Sequence, residues 1–86
     1  MKRLFVIFSI LLITVTSALA QSSLKKGDEA YDQFRYEEAI EYYLKSLPSI
    51  NNSEVKADVL YRIGYCYLEM RNSYKGEEYL RKALQT

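Results

Sequence analysis

The sequence contains no histidine and no tryptophan, and a single cysteine, Cys66. Without imidazole, the usual base for activating a serine or cysteine nucleophile is missing. A transition-metal site has few ligands to draw on, and one thiol cannot build a disulfide framework within one copy. Proline occurs once, at Pro48, and glycine three times. No stretch is therefore rich enough in these residues to read as a linker. No segment alternates apolar and polar residues long enough to argue a strand.

Charge of one sign is also absent. The 86-residue chain carries 12 basic and 11 acidic residues. Setting aside Lys2 and Arg3 leaves a net charge of about −1 on the remainder. That supplies neither the basic face a nucleic acid needs nor a polybasic patch for anionic lipid. Tyrosine is abundant instead: all nine lie beyond residue 20, where Phe34 is the only phenylalanine. A tyrosine ring packs while its hydroxyl reaches water, which suits thin helical layers.

Residues 1–20 form a distinct segment. Met1-Lys2-Arg3 is a short basic start, Leu4 to Val15 is a largely apolar run, and Ala18 and Ala20 stand in a small-x-small pattern before Gln21. This is the layout of a secretory signal peptide, with cleavage expected between Ala20 and Gln21. The apolar run is shorter than the roughly 20 residues a spanning helix needs. No cysteine follows it to carry a lipid. The expected destination is the periplasm, the outer membrane or beyond, with membrane contact only through this segment before cleavage.

Beyond residue 20 the apolar positions recur at helical spacing in four stretches. They run from about Ser23 to Phe34, Tyr36 to Leu47, Ser53 to Met70 and Tyr74 to Leu84. Pro48 stops the second helix, and Asn51 with Glu54 suggests a loose capping box for the third. Val59, Ile63, Cys66 and Met70 share one stripe, which places the thiol in the core rather than at a reactive surface. Glu41 and Lys45 are spaced as an exposed ion pair.

The four helices form two copies of one pattern. Gly27 matches Gly64 at a shift of 37, and the same shift pairs Ala39 with Gly76, Tyr43 with Leu80, and Ser46 with Ala83. A helical glycine costs about 1 kcal/mol against alanine. Matched glycines therefore point to close helix crossings, Gly27 against Ala39 and Gly64 against Gly76. Bulky residues between them would fill the space between neighbouring pairs. The expectation is an all-α chain of two antiparallel helix-turn-helix units, residues 21–53 and 54–86, as part of an α-solenoid.

The segments Gly27-Asp28-Glu29-Ala30-Tyr31 and Tyr36-Glu37-Glu38-Ala39-Ile40-Glu41-Tyr42-Tyr43-Leu44-Lys45-Ser46-Leu47 resemble a tetratricopeptide repeat, as do Leu60 to Leu68 with Gly76 and Tyr79 to Leu84. The family period is 34 residues. The longer step here puts three extra residues around Ser49–Lys56, and Gly76 stands where the family usually has alanine. The resemblance implies a non-catalytic scaffold that binds another protein or peptide. In such repeats the first helix of each pair lines a concave groove. Mapped onto this chain, the lining is Leu24, Asp28, Tyr31 and Asp32 in the first copy and Asp58, Tyr61, Tyr65, Leu68 and Glu69 in the second. The alternative is that these are ordinary surface residues, with the tyrosines packed inside the repeat. The groove acids disfavour the clamp that other members use for acidic chaperone tails, which depends on lysine and asparagine.

No cofactor, metal, nucleic acid or small-molecule substrate is expected. Glu37/Glu38 and Glu77/Glu78 are sequence neighbours that diverge by about 100° on a helix, so they do not share a site as an acid–base pair. Asp28 and Asp32 lack the loop geometry of a calcium site. With a signal peptide ahead of such repeats, the chain resembles the leading part of envelope proteins of Bacteroidetes-like bacteria. The structural alternative is therefore a segment of a larger outer-membrane-associated or peptidoglycan-linked protein, completed by more chain or by self-association.

Overall fold

A computed structural model describes residues 21–86. The expected signal segment 1–20, with Ala20 of the cleavage site, lies outside the described residues; Gln21, on the other side of that site, is helical. The described chain is all-α. Helix α1 takes in residues 21–32, α2 spans Tyr36–Ser46, α3 Ser53–Glu69 and α4 Ser73–Leu84. A short 3-10 turn, Leu47–Ser49, carries Pro48 at its start. No helix among the described residues is long and apolar enough to cross a membrane.

The ends of α1 and α3 are built alike. At the end of α1, Phe34 N–H donates to the Tyr31 carbonyl at 3.1 Å and Arg35 N–H to the Ala30 carbonyl at 2.9 Å. At the end of α3, Arg71 N–H donates to Leu68 at 2.9 Å and Asn72 N–H to Tyr67 at 2.8 Å. Both are Schellman turns, which reverse the chain and satisfy otherwise open carbonyls. Each needs one left-handed residue, and Phe34 and Arg71 supply it with φ of 62°. Phe34 therefore lies beyond α1 rather than at its end, and Arg71 beyond α3. Asn72 then caps α4 by accepting from Lys75 N–H at 3.2 Å.

The N-cap of α3 is Asn52, not Asn51: its side chain accepts from the N–H groups of Glu54 at 2.9 Å and Val55 at 3.2 Å. The extra residues between the copies are taken up by the 3-10 turn and by Ile50 to Asn52, and Ile50 packs against the core.

The core sits where the two helix pairs meet. Ala30 of α1, Ala39, Ile40 and Tyr43 of α2, and Val59, Ile63 and Cys66 of α3 form one buried cluster. Leu24, Tyr31, Tyr36, Leu47, Tyr67 and Tyr79 pack around it. Burying a side chain of the size of Ile63 is worth about 1.5–3 kcal/mol. The stripe Val59, Ile63 and Cys66 is buried, while Met70, next in the period, is 44% exposed because α3 has ended. In α4 only Gly76 is fully buried, and Leu84 is 89% exposed.

The glycine crossings are partly as the sequence suggests. A methyl group at Gly64 would sit 3.0 Å from the carbonyl oxygen of Gly76, and one at Gly76 3.2 Å from that of Gly64. Here α3 and α4 meet backbone to backbone, an approach that a side chain would crowd, against the facing carbonyl at Gly64 more than at Gly76. Gly27 is different. A methyl there would lie 2.7 Å from Cδ1 of Tyr43, so the close neighbour is the Tyr43 ring rather than Ala39. The glycine makes room for an aromatic ring laid across α1.

Candidate binding face

Tyr43 is fully buried, and a buried phenol needs a partner for its hydroxyl. Its O–H donates to Asp28 Oδ1 at 2.7 Å, reaching from α2 to α1. Arg62 of α3 donates from Nη1 to the same carboxylate oxygen at 3.1 Å and to the Tyr43 hydroxyl at 3.4 Å. Its Nε pairs with Asp58 Oδ2 at 3.2 Å, and its guanidinium carbon lies 5.1 Å from the centroid of the Tyr31 ring. One planar fork thus touches a carboxylate on α1, a hydroxyl on α2, a carboxylate on α3 and an aromatic face. Burial, then the bond to Asp28, holds the Tyr43 hydroxyl far above the ordinary tyrosine range. The bond that Arg62 donates to the Tyr43 hydroxyl leads the causes that keep Arg62 protonated well above the usual arginine value.

This arrangement sorts the candidate groove residues. Asp28 and Asp58 are neutralised in part by Arg62. Tyr31 packs against the core, with its ring centroid 6.4 Å from that of Tyr43 and 5.9 Å from that of Tyr65. Leu24 also packs against the core. Tyr61 is 53% exposed and Leu68 40% exposed, although the inner edge of Leu68 lies over Gly76. Asp32 and Glu69 are exposed and make no ion pair among the described residues. Glu69 is the leading cause that raises the Tyr65 hydroxyl above its ordinary value, followed by burial.

Asp28 beside Arg62 and Tyr31 beside Tyr65 are matching steps along the two helices, so α1 and α3 run side by side in the same direction. Arg62 was not among the residues the sequence pattern singles out. The signal for it was the buried Tyr43, whose hydroxyl requires a polar partner, together with the i,i+4 pair Asp58–Arg62.

Away from this face the chemistry is sparse. Cys66 is a free thiol in the core, and burial pushes it up to about 11. Such a thiol is a packing group rather than a nucleophile. Among the described residues no three His, Cys, Asp or Glu side chains gather as metal ligands would. Glu41–Lys45 is present at 3.5 Å, and Glu38 and Glu78 pair with Arg35 and Lys82 on exposed helix faces. Pairs of this kind contribute a few tenths of a kcal/mol.

Two successive helical hairpins whose equivalent positions, Phe34 and Arg71, turn alike define a helical-repeat protein. The sequence profile of the tetratricopeptide repeat matches residues 20–47 and again 57–86, more than half of the chain. The chain belongs to the tetratricopeptide repeat family. Repeats of this family generally mediate protein–protein interaction, and the proteins that carry them are typically non-catalytic scaffolds. Neither a curated protein nor a solved structure gives a significant match to the chain.

Proposed function

We propose that this chain is a binding module exported to the bacterial envelope, which holds a peptide or helix of another protein along the face formed by α1 and α3. The observation that carries this reading is the exposure of Tyr61 and Leu68 between the acids of that face. Half of a tyrosine ring and the outer part of a leucine stand in water there. Such residues, flanked by Asp32, Asp58 and Glu69, suit a segment with apolar anchors and basic flanks.

The test is selection of peptides from a displayed library on the chain, followed by titration against Tyr61→Ala and Leu68→Ala. A loss of about fivefold or more in at least one variant is expected for an anchor contact. Selected peptides that bind both variants as tightly as the parent would remove the groove assignment. Export has its own check: mass spectrometry of the N-terminus from envelope fractions, with Gln21 as the expected first residue.

A second reading, as a structural segment of a larger envelope assembly, draws on α4. Leu80 is only partly buried and Leu84 stands in solvent, whereas their counterparts in the first copy, Tyr43 and Leu47, are packed beneath α3 or against the core. Sedimentation of the chain with and without Leu84→Glu would separate the readings. Association abolished by that change supports the structural one, and a monomer in both cases removes self-association.

A further inference from the structure

Phe34 stands where neither the backbone nor the core favours it. Its φ of 62° is left-handed, a region that bulky side chains avoid, and its ring is 74% exposed. An outlier of this kind directs attention to the surface it creates. The Phe34 ring meets Tyr36 edge-on at 6.3 Å and 65°, and Tyr36 meets Tyr65 at 6.3 Å and 72°. Three rings from the turn, from α2 and from α3 thus form one continuous aromatic surface.

Other tyrosines of this protein carry the chain's own cations. Arg62 covers Tyr31, Lys75 covers Tyr67, Lys82 lies 4.7 Å from the centroid of Tyr79, and Lys26 and Lys45 approach Tyr42. Among the described residues no cation lies over Phe34, Tyr36 or Tyr65. The surroundings nevertheless favour positive charge. Glu69 lies in the last turn of α3, one turn beyond Tyr65, and that turn holds no basic residue. The C-terminal ends of α1 and α3 lie beside the N-terminal ends of α2 and α4, so the helix dipoles offset one another and Glu69 supplies the negative charge. Burial and then Glu69 raise the Tyr36 hydroxyl above its ordinary value, so the carboxylate is felt across the patch.

We propose that Phe34, Tyr36 and Tyr65, with Glu69 beside them, form a seat for a lysine or arginine side chain presented by the partner peptide. The cation would rest on the negative faces of the rings and donate to the Glu69 carboxylate. The proposal rests on the reading of the α1 and α3 face as the binding face, and it names the chemistry of one anchor there. Phe34 is the residue it adds.

The test titrates the isotope-labelled full chain with short leucine- and alanine-rich peptides, identical except for one central lysine, arginine or glutamine. The lysine or arginine peptide is expected to move the amide resonances of Phe34, Tyr36, Tyr65 and Glu69, and the glutamine peptide to bind about 3–10-fold more weakly. Glu69→Gln should weaken the cationic peptide similarly, as should Phe34→Asn, which keeps a residue tolerant of the left-handed turn. Circular dichroism of each variant confirms that the fold is retained. Equal binding of the glutamine peptide would overturn the proposal. Resonance changes confined to Asp58 and Tyr61 would overturn it while leaving the groove reading in place. No change with any peptide would overturn both.

Discussion

Replacing Gly64 by alanine sets two opposing effects against each other. Alanine in the middle of α3 gains about 1 kcal/mol of helix propensity over glycine. The new methyl would sit 2.9 Å from Leu80 Cγ and 3.0 Å from the Gly76 carbonyl oxygen. The carbonyl belongs to the backbone of α4 and cannot rotate away, so the two helices must separate. Overpacking of this kind costs about 1–3 kcal/mol. The loosened contact also removes burial from a hairpin whose fourth helix has little else fully buried. The expected net is a loss of about 1 kcal/mol, a fall of about 4–8 °C in Tm for a domain of this size. Gly76→Ala is the comparison. Its methyl would lie 2.6 Å from Cδ2 of Leu68, the end of a half-exposed side chain, and 3.2 Å from the nearest backbone oxygen. The methyl also meets Leu68 Cγ at 2.8 Å, so the whole side chain must turn outward; its exposure allows that, and a smaller fall in Tm than for Gly64→Ala is expected. Thermal unfolding followed by circular dichroism measures both. A Gly64→Ala variant as stable as the parent, or a Gly76→Ala variant damaged more than Gly64→Ala, would refute the account of the crossing.

Arg62→Met should lower stability by about 1 kcal/mol, read by urea unfolding; the contacts are half-exposed, so a larger loss is not expected. Tyr43→Phe should cost about 1 kcal/mol, and the double variant less than the sum of the two, because both act on one network. The hydroxyls of Tyr43 and Tyr31 are raised above 10.0 in the folded chain, chiefly by burial. Their contribution is complete below pH 10 and is lost as pH rises beyond it, so an alkaline unfolding transition should appear there and move upward in Tyr43→Phe. Arg71→Gly should raise stability by about 0.5–1 kcal/mol by relieving a left-handed φ that a side chain resists. Cys66 should react with a thiol reagent at neutral pH only as fast as the chain unfolds, since it is buried and held near 11.

The repeat was legible in the sequence because its signals are periodic. The shift that pairs Gly27 with Gly64 also pairs Phe34 with Arg71, the two left-handed residues of the matching turns. The contact between Gly64 and Gly76 could be read from residue size alone. The partner of Gly27 could not, because placing small opposite small takes no account of a ring laid across the helix. The turn conformation of Phe34 was hidden for a related reason: neither glycine nor asparagine marks the position, and a phenylalanine at a helix end reads as one more apolar residue. The candidate face was legible as two helical stripes. Sequence spacing does not show which of its acids are already engaged, and Asp28 and Asp58 differ from Asp32 and Glu69 only through the reach of one arginine on α3.

That arginine has a mechanical meaning. Arg62 is the polar point at which the second helix pair grips the first, above their shared core, and its fork has a fixed plane. A twist of one hairpin against the other would tilt that plane away from Asp28 as it strains the apolar contacts below. The angle between the pairs is thus held by their shared core and trimmed by a charge, a contact that salt can weaken. A ligand bearing its own carboxylate near Tyr31 would compete for the same guanidinium, and in doing so would loosen the shape that received it.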